Sequence, residues 1–143
     1  MRSLALFGFT LCVCLFGTEA RIYGRCEFAR ALANLGVPRN QIPTWTCIAQ
    51  KESNFDTAAR NWSSGDHGIL QISQIYWCTE GGGPGKGCNT ECWRFRDADI
   101  VNDVRCAQKV YNEHTRLSGD GFNAWTTYKY CRGDMSQWVQ GCF

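Results

Sequence analysis

The sequence predicts an α+β fold, with a helical lobe and a small antiparallel β lobe on either side of a cleft. Apolar residues recur at helical spacing near both ends of the chain, whereas residues 55–87 between them are rich in glycine and in short strand-like runs. An even set of cysteines is spread over both parts. A cleft between two lobes is a natural place for a substrate.

Residues 1–20 have the pattern of a secretory signal. Arg2 precedes an apolar run over residues 4–16, and small residues lead up to Ala20. The apolar run is too short to cross a bilayer as a helix. We therefore expect cleavage before Arg21, a secreted extracellular product and one domain over residues 21–143.

The first helix is predicted over residues 25–35, and the second helix opens at Pro43-Thr44. In the first helix Phe28, Leu32 and Leu35 are expected to face inward, and Gly36 is expected to end it. The second helix carries Glu52 near its carboxyl end. The helix dipole there disfavours a negative charge.

Glu52 lies on the apolar side of its helix. Trp45, Ile48, Ala49 and Glu52 follow the i, i+3, i+4, i+7 spacing of one helix face. Burial on that face and the nearby helix end both raise the pKa of a carboxyl group. The sequence therefore predicts that Glu52 is the protonated member of a carboxyl pair.

Asp66 is the proposed ionised partner of Glu52. Serines and glycines surround it in a stretch that we expect to form strands and turns. Hydrolysis of a glycosidic bond needs a protonated carboxyl group to donate to the leaving oxygen and an ionised one to face the cationic sugar. Taken alone, a solvated glutamate and a turn aspartate explain the pair as well.

A glycine-rich surface loop and two further helices are predicted after this point. The loop spans residues 81–87 and lacks the Gly-Lys-Ser/Thr of a P-loop. A long helix is predicted over residues 99–113, and a short helix is predicted to hold Trp125 and Tyr128. The inward face of the long helix is formed by Ile100, Val104, Ala107 and Tyr111.

Eight cysteines remain once the predicted signal is removed. An even number in a small secreted chain predicts four disulfides, with roughly a hundred pairings open. No Cys-x-x-Cys pattern supports a zinc site. The eight are Cys26, Cys47, Cys78, Cys88, Cys92, Cys106, Cys131 and Cys142.

The charge balance is mildly basic. The chain has 15 Lys+Arg against 13 Asp+Glu, a formal net charge of +2. That balance permits attraction to an anionic cell wall, but it is not typical of a nucleic-acid-binding protein.

Several blocks resemble the c-type (chicken-type) lysozymes, and most of all the insect members, over residues 21–143. The resemblance implies a lysozyme-like fold and a retaining glycoside hydrolase that needs no cofactor and acts as a monomer on peptidoglycan or chito-oligosaccharides. The bond to be cut is the β-1,4 bond between N-acetylmuramic acid and N-acetylglucosamine, for antibacterial defence or digestion. The matching blocks are Tyr23-Gly24-Arg25-Cys26-Glu27, Glu52-Ser53-Asn54-Phe55, Asp66-His67-Gly68-Ile69-Leu70-Gln71-Ile72, Asn123-Ala124-Trp125 and Gly141-Cys142.

The same resemblance implies roles for individual residues. Glu52 would be the general acid, with Trp125 as an apolar wall beside it, and Asp66 the nucleophile or the stabiliser of the cationic sugar. Tyr76 and Trp77 would stack on sugar rings. Polar or backbone contacts to the sugar would come from Asn54, Gln71, Ser73, Asp120 and Ala124. The implied disulfides are Cys26–Cys142, Cys47–Cys131, Cys78–Cys92 and Cys88–Cys106.

The chain also departs from the pattern of that family. The hairpin between Glu52 and Asp66 is shorter, and residues 114–119 lengthen what we expect to be a loop before Trp125. His67 stands in place of a tyrosine and is expected either to pair with Asp66 or to face solvent. The hairpin also contains the glycosylation sequon Asn61-Trp62-Ser63.

Two alternatives stay open. The first is a non-catalytic saccharide-binding protein, similar to α-lactalbumin or to sperm-surface relatives; retention of both carboxylates favours the enzyme. The second is a calcium site, since residues 93–105 resemble the calcium loop of α-lactalbumin and of calcium-binding lysozymes. Its ligands would be the side chains of Asp97, Asn102 and Asp103 with the carbonyls of Arg94 and Asp99.

Overall fold

A computed structural model describes residues 19–143, so the predicted signal lies outside the described residues except for its last two positions. In the described part, three α-helices and a three-stranded antiparallel sheet confirm the α+β fold. None of these helices is long and apolar enough to cross a membrane. The helices are α1 (Arg25–Asn34), α2 (Ile42–Ser53) and α3 (Val101–Ser118), and the strands are β1 (Arg60–Asn61), β2 (Asp66–His67) and β3 (Ile72–Ser73).

Helix α1 ends before Leu35, which does not face inward as predicted. Leu35 is 37% exposed. Gly36 takes a left-handed conformation with φ +80° and turns the chain back. The N–H of Val37 then donates to the carbonyl of Leu32 at 3.0 Å, and Val37 is buried in place of Leu35. The backbone reversal at the helix end therefore overrides the helical spacing at this position.

Helix α2 follows its predicted pattern. Pro43 lies in the first turn, where a missing N–H costs nothing. Trp45, Ile48 and Ala49 are all buried. The helix ends at Asn54, which adopts the left-handed conformation with φ 52°. Glu52 is consequently the penultimate residue of the helix and lies at the edge of the buried face.

Helix α3 starts later and ends later than predicted. The Asp99 side chain accepts the N–H of Val101 at 3.0 Å, so Asp99 precedes the helix. The segment 114–118, expected as part of a loop, is helical. The hydroxyls of Thr115 and Ser118 donate hydrogen bonds to the backbone carbonyls four residues earlier. The helix ends at Gly119, which adopts the left-handed conformation with φ +83°.

Trp125 is not inside a helix, contrary to the prediction. It has an extended backbone, with φ −104° and ψ 121°, between the 3₁₀-helices Gly121–Ala124 and Thr126–Tyr130. Tyr128 does lie in the second of these. Two further 3₁₀-helices span Cys92–Phe95 and Ser136–Val139.

The sheet is small but places Asp66 at its centre. Each strand has two residues, and the order is β1-β2-β3. Asp66 pairs with Asn61 on one side and with Ser73 on the other. The remainder of the β lobe consists mainly of turns and isolated β-bridges, because glycines and polar residues interrupt the strand pattern.

Four disulfides connect the elements in the pairs that the family resemblance implies. Cys26–Cys142 ties the two ends of the domain together. The other pairs are Cys47–Cys131, Cys78–Cys92 and Cys88–Cys106. In the helical lobe, the Trp45 ring packs edge-on against Trp125 and Phe122, with ring centroids 4.8 and 4.9 Å apart. This aromatic packing positions Trp125 at the boundary between the two lobes.

Candidate active site

A cavity of about 140 Å³ lies between the helical lobe and the sheet. Helix α2 contributes Glu52 and strand β2 contributes Asp66, so each lobe supplies one carboxyl group. Two tryptophans, Trp77 and Trp125, line the same space. The other lining residues are Gln71, Ile72, Ser73, Val110, Ala124 and Thr126.

The environment of Glu52 favours its protonated form. Burial raises the pKa of Glu52, and the negative charge of Asp66 raises it further. One contact acts in the opposite direction: the hydroxyl of Thr127 donates to Glu52 Oε1 at 2.7 Å and lowers the pKa. Burial is the larger effect, so the net shift is upward. A carboxyl group of this kind can hold a proton for transfer at a pH where ordinary carboxyl groups are ionised.

Trp125 provides a rigid apolar wall of this cavity. The indole is 7% exposed, and its Nε1 donates to the carbonyl of Leu70 at 2.8 Å. The packing against Trp45 holds the ring from the other side. The wall therefore keeps water from part of the space that Glu52 lines.

Asp66 is held by polar contacts. The hydroxyl of Ser64 donates to Asp66 Oδ2 at 2.6 Å. The backbone of Asp66 is fixed by pairing on both sides within the sheet. Asp66 is therefore fixed in position opposite Glu52 by the sheet and by one side-chain hydrogen bond.

Most of the residues predicted to bind sugar lie along this cavity. Gln71, Ser73 and Ala124 line it together with Glu52. Asn54 lines an adjoining, wider cavity that also contains Glu52 and Gln71. At the other end, Tyr76 and Trp77 line a third cavity, and Trp77 also lines the first. The three spaces therefore share residues and form one continuous cleft.

Asp120 is not among the residues that line these three cavities. Its Oδ1 accepts the backbone N–H of Phe122 at 3.0 Å, as an N-cap of the following 3₁₀-helix. It also interacts with Tyr128, whose pKa is raised mainly by burial and then by Asp120. Asp120 therefore has a local structural role, and its predicted contact to sugar stays a prediction.

His67 neither pairs with Asp66 nor faces solvent, contrary to both expectations. Its side chain is fully buried, and Nδ1 contacts Arg96 while Nε2 contacts Gln74 Oε1 at 3.0 Å. A guanidinium only donates, so Nδ1 accepts and the proton resides on Nε2. Glu80 also lies 3.2 Å from Nε2. Burial is the main reason that the pKa of His67 is lowered, so the neutral ring joins Arg96 to Gln74 in the interior.

The segment that resembles a calcium loop is closed by internal hydrogen bonds. Asn102 Nδ2 donates to the carbonyl of Arg94 at 2.8 Å, and Asp97 Oδ1 accepts the N–H of Asp99 at 2.9 Å. Asp103 is fully buried, and among the described residues neither of its carboxylate oxygens has a hydrogen-bond partner. Burial raises the pKa of Asp103 well above its usual value. Within residues 19–143, these aspartates do not bring three ligand oxygens within 4.8 Å of one another.

Thr127 is the functional neighbour that sequence reasoning missed. It lies 75 positions from Glu52 along the chain, and no local pattern links the two residues. The only signal in the sequence was its place two residues after Trp125, in the block expected to line the cleft.

Comparison with known proteins agrees with this geometry. The model of the C-type lysozyme/alpha-lactalbumin family matches residues 21–142. Lysozyme c-1 of Anopheles gambiae is 38% identical, with all of both chains covered, and Lysozyme P of Drosophila melanogaster is 40% identical over 88% of this chain and 89% of its own. The crystal structure of a lysozyme from Litopenaeus vannamei superimposes with a TM-score of 0.76 at 35% identity, covering 87% of this chain and 98% of that one.

Proposed function

This chain belongs to the C-type lysozyme/alpha-lactalbumin family, and we therefore propose that Glu52 and Asp66 are its two catalytic residues. The protein is a glycoside hydrolase of the lysozyme kind, which cuts the β-1,4 bond between N-acetylmuramic acid and N-acetylglucosamine in peptidoglycan. The observation that carries the assignment of roles is that Glu52, whose pKa burial raises, lines the same cavity as Asp66.

Lysozymes are the type case of the two-carboxylate retaining mechanism. Here the proton of Glu52 passes to the glycosidic oxygen as the bond from that oxygen to the anomeric carbon breaks. Asp66 meets the positive charge on the anomeric carbon and forms a glycosyl-enzyme bond with it. Glu52, now ionised, takes a proton from a water molecule, whose oxygen displaces Asp66. Both carboxyl groups thereby return to their starting states.

We propose that the enzyme is secreted and acts outside the cell. The four disulfides suit an oxidising compartment, and the predicted signal at residues 1–20 would direct the chain there. Its partners are cell-wall peptidoglycan and chito-oligosaccharides, bound by a single copy of the chain. The net charge of +2 favours approach to an anionic wall.

We expect a bell-shaped dependence of the lytic rate on pH. Glu52 donates only while it is protonated, so activity falls as the pH rises through its raised pKa. The retaining mechanism also needs an ionised carboxylate, so activity falls again at low pH. The two limbs are properties of the coupled pair.

Two substitutions should move the basic limb in opposite directions. Thr127→Val removes the hydrogen bond that lowers the pKa of Glu52, so the limb moves to higher pH. Trp125→Ser admits water and weakens the effect of burial, so the limb moves to lower pH. Rate profiles on cell-wall suspensions measure both shifts. If neither variant displaces the limb, another group governs the loss of activity at high pH.

Calcium should leave the stability of the protein unchanged. An ion that binds only the folded state raises the melting temperature by mass action. The carbonyl of Arg94 and the amide of Asn102 already bond to each other, so we propose that no resident calcium is needed. Thermal unfolding in millimolar calcium and in chelator should coincide. A calcium-dependent rise that disappears in Asp97→Asn would contradict this.

A further inference from the structure

The cleft continues beyond Glu52 to another exposed aromatic residue, Trp62. A cavity of about 690 Å³ shares Glu52 and Gln71 with the central cavity and extends along the β1–β2 hairpin to Trp62. Asp66 does not line this outer part. Trp62 was not among the residues that the sequence placed in the site, since an aromatic residue in a hairpin turn carries no positional signal of its own.

Trp62 is exposed but held in place. Its side chain is 80% exposed, and the Arg60 guanidinium lies 3.6 Å from the ring centroid, over one face. Arg60 is in turn fixed by a 2.7 Å contact from Nη2 to Glu80 Oε2. Asn61 Oδ1 accepts the N–H of Ser63 at 3.0 Å, which closes the turn around Trp62. Arg60 covers one face of the indole, so the exposed area is left for another molecule.

The positions of the two carboxyl groups decide which part of a substrate reaches Trp62. Asp66 must face the anomeric carbon, and Glu52 must face the leaving oxygen on the next sugar. The central cavity contains both groups, whereas the outer cavity contains Glu52 without Asp66. The outer cavity therefore lies on the side of the leaving group. Tyr76 and Trp77 lie at the opposite end of the cleft.

We propose that Trp62, braced by Arg60, is the stacking platform for a sugar on the leaving-group side of the cleft. This inference rests on the proposed function. Pyranose rings present flat C–H faces that pack on aromatic rings. The Trp62 indole is already held in place by Arg60 and by the closed turn, so it loses little conformational freedom when a sugar binds. Stacking on Trp62 increases the number of sugars bound on the leaving-group side, and this number determines which bond of a long oligosaccharide is cut.

The test compares Trp62→Ala with the matched variant Trp93→Ala. Trp93 is 49% exposed and also has an arginine over its ring, but it lies in none of the three cavities of the cleft. One substrate is chitohexaose, which can fill both sides of the cleft. The other is a nitrophenyl chitotrioside, whose small phenol leaving group does not extend to Trp62. All proteins are produced without a glycan at Asn61, so that glycosylation beside Trp62 does not affect the comparison.

Trp62→Ala should lower kcat/KM for chitohexaose by roughly tenfold, which corresponds to about 1.4 kcal/mol of lost transition-state stabilisation. The bond cut within the hexamer should shift toward its reducing end, because fewer sugars are held on the leaving side. Activity on the nitrophenyl substrate should stay at the wild-type level. Trp62→Phe should recover most of the loss, and Trp93→Ala should match wild type throughout.

Several results would overturn the proposal. If wild type and Trp62→Ala cleave chitohexaose at the same rate and the same bond, Trp62 binds no sugar there. A defect on peptidoglycan without one on chitohexaose would indicate contact with the peptide stems. An equal loss on both small substrates would indicate a structural defect. If wild type cleaves neither substrate nor peptidoglycan, the proposed function itself fails and the inference falls with it.

Discussion

Replacing Glu52 with glutamine should abolish lysis of Gram-positive cell walls. A positioned general acid contributes about two to four orders of magnitude to a rate, and an amide has no proton to donate to the leaving oxygen. Burial raises the pKa of Glu52, which is the reason that we propose this group as the donor. Turbidity of a wall suspension measures the loss.

Binding should survive the same substitution. Glutamine keeps the shape of the side chain, so the variant should bind chito-oligosaccharides nearly as tightly as wild type in calorimetric titrations. Glu91→Gln is a matched control: it makes the same chemical change outside the three cavities of the cleft, where the side chain accepts from Trp93 Nε1. A wild-type protein that binds sugar yet leaves walls intact would instead make this chain a non-catalytic member of its family.

Replacing Gly68 with alanine should destabilise the domain by more than about 3 kcal/mol. Gly68 has φ +79°, and a Cβ there would lie 2.0 Å from the carbonyl oxygen of Phe95 and 2.7 Å from Asp103 Oδ1. The first atom is backbone and the second belongs to a fully buried side chain, so neither moves without disturbing the core. A fall in melting temperature on the order of 10 °C is expected.

Gly36 is a control that shares the backbone conformation of Gly68 but lacks its close neighbours. Gly36 has nearly the same φ, +80°, and no neighbouring atom within 4 Å of a Cβ built there. Gly36→Ala should therefore cost only about 1–2 kcal/mol, the penalty of a left-handed conformation. Equal losses in the two variants would show that close packing at Gly68 does not matter. Because Gly68 follows Asp66 by two positions, its variant should also lose lytic activity when the folded fraction is taken into account.

The parts of the fold that depend on nearby residues could be predicted. The buried face of α2 follows from the spacing of Trp45, Ile48 and Ala49, and the same spacing places Glu52 at its edge. The cysteine count predicted four disulfides, although the pairing came from family resemblance. The catalytic roles of Glu52 and Asp66 stay predictions until the variants are measured.

The errors arose where a distant partner or a backbone reversal decides the outcome. Leu35 is exposed because Gly36 turns the chain and brings in Val37. Helix α3 continues to Ser118, since nothing before Gly119 ends it. At Leu35 the backbone reversal outweighs the helical spacing, and at residues 114–118 continued helical hydrogen bonding replaces the expected loop.

The sequence by itself determined the fold class and the number of disulfides, because periodicity and cysteine count are properties of the chain alone. Only the tertiary structure decided what surrounds Glu52, His67 and Trp62. Thr127 donates to Glu52 from 75 positions away along the chain, burial lowers the pKa of His67, and Trp62 lines a cavity that also contains Glu52. The free energy of a charge or a sugar depends on what surrounds it in space, and folding sets those surroundings.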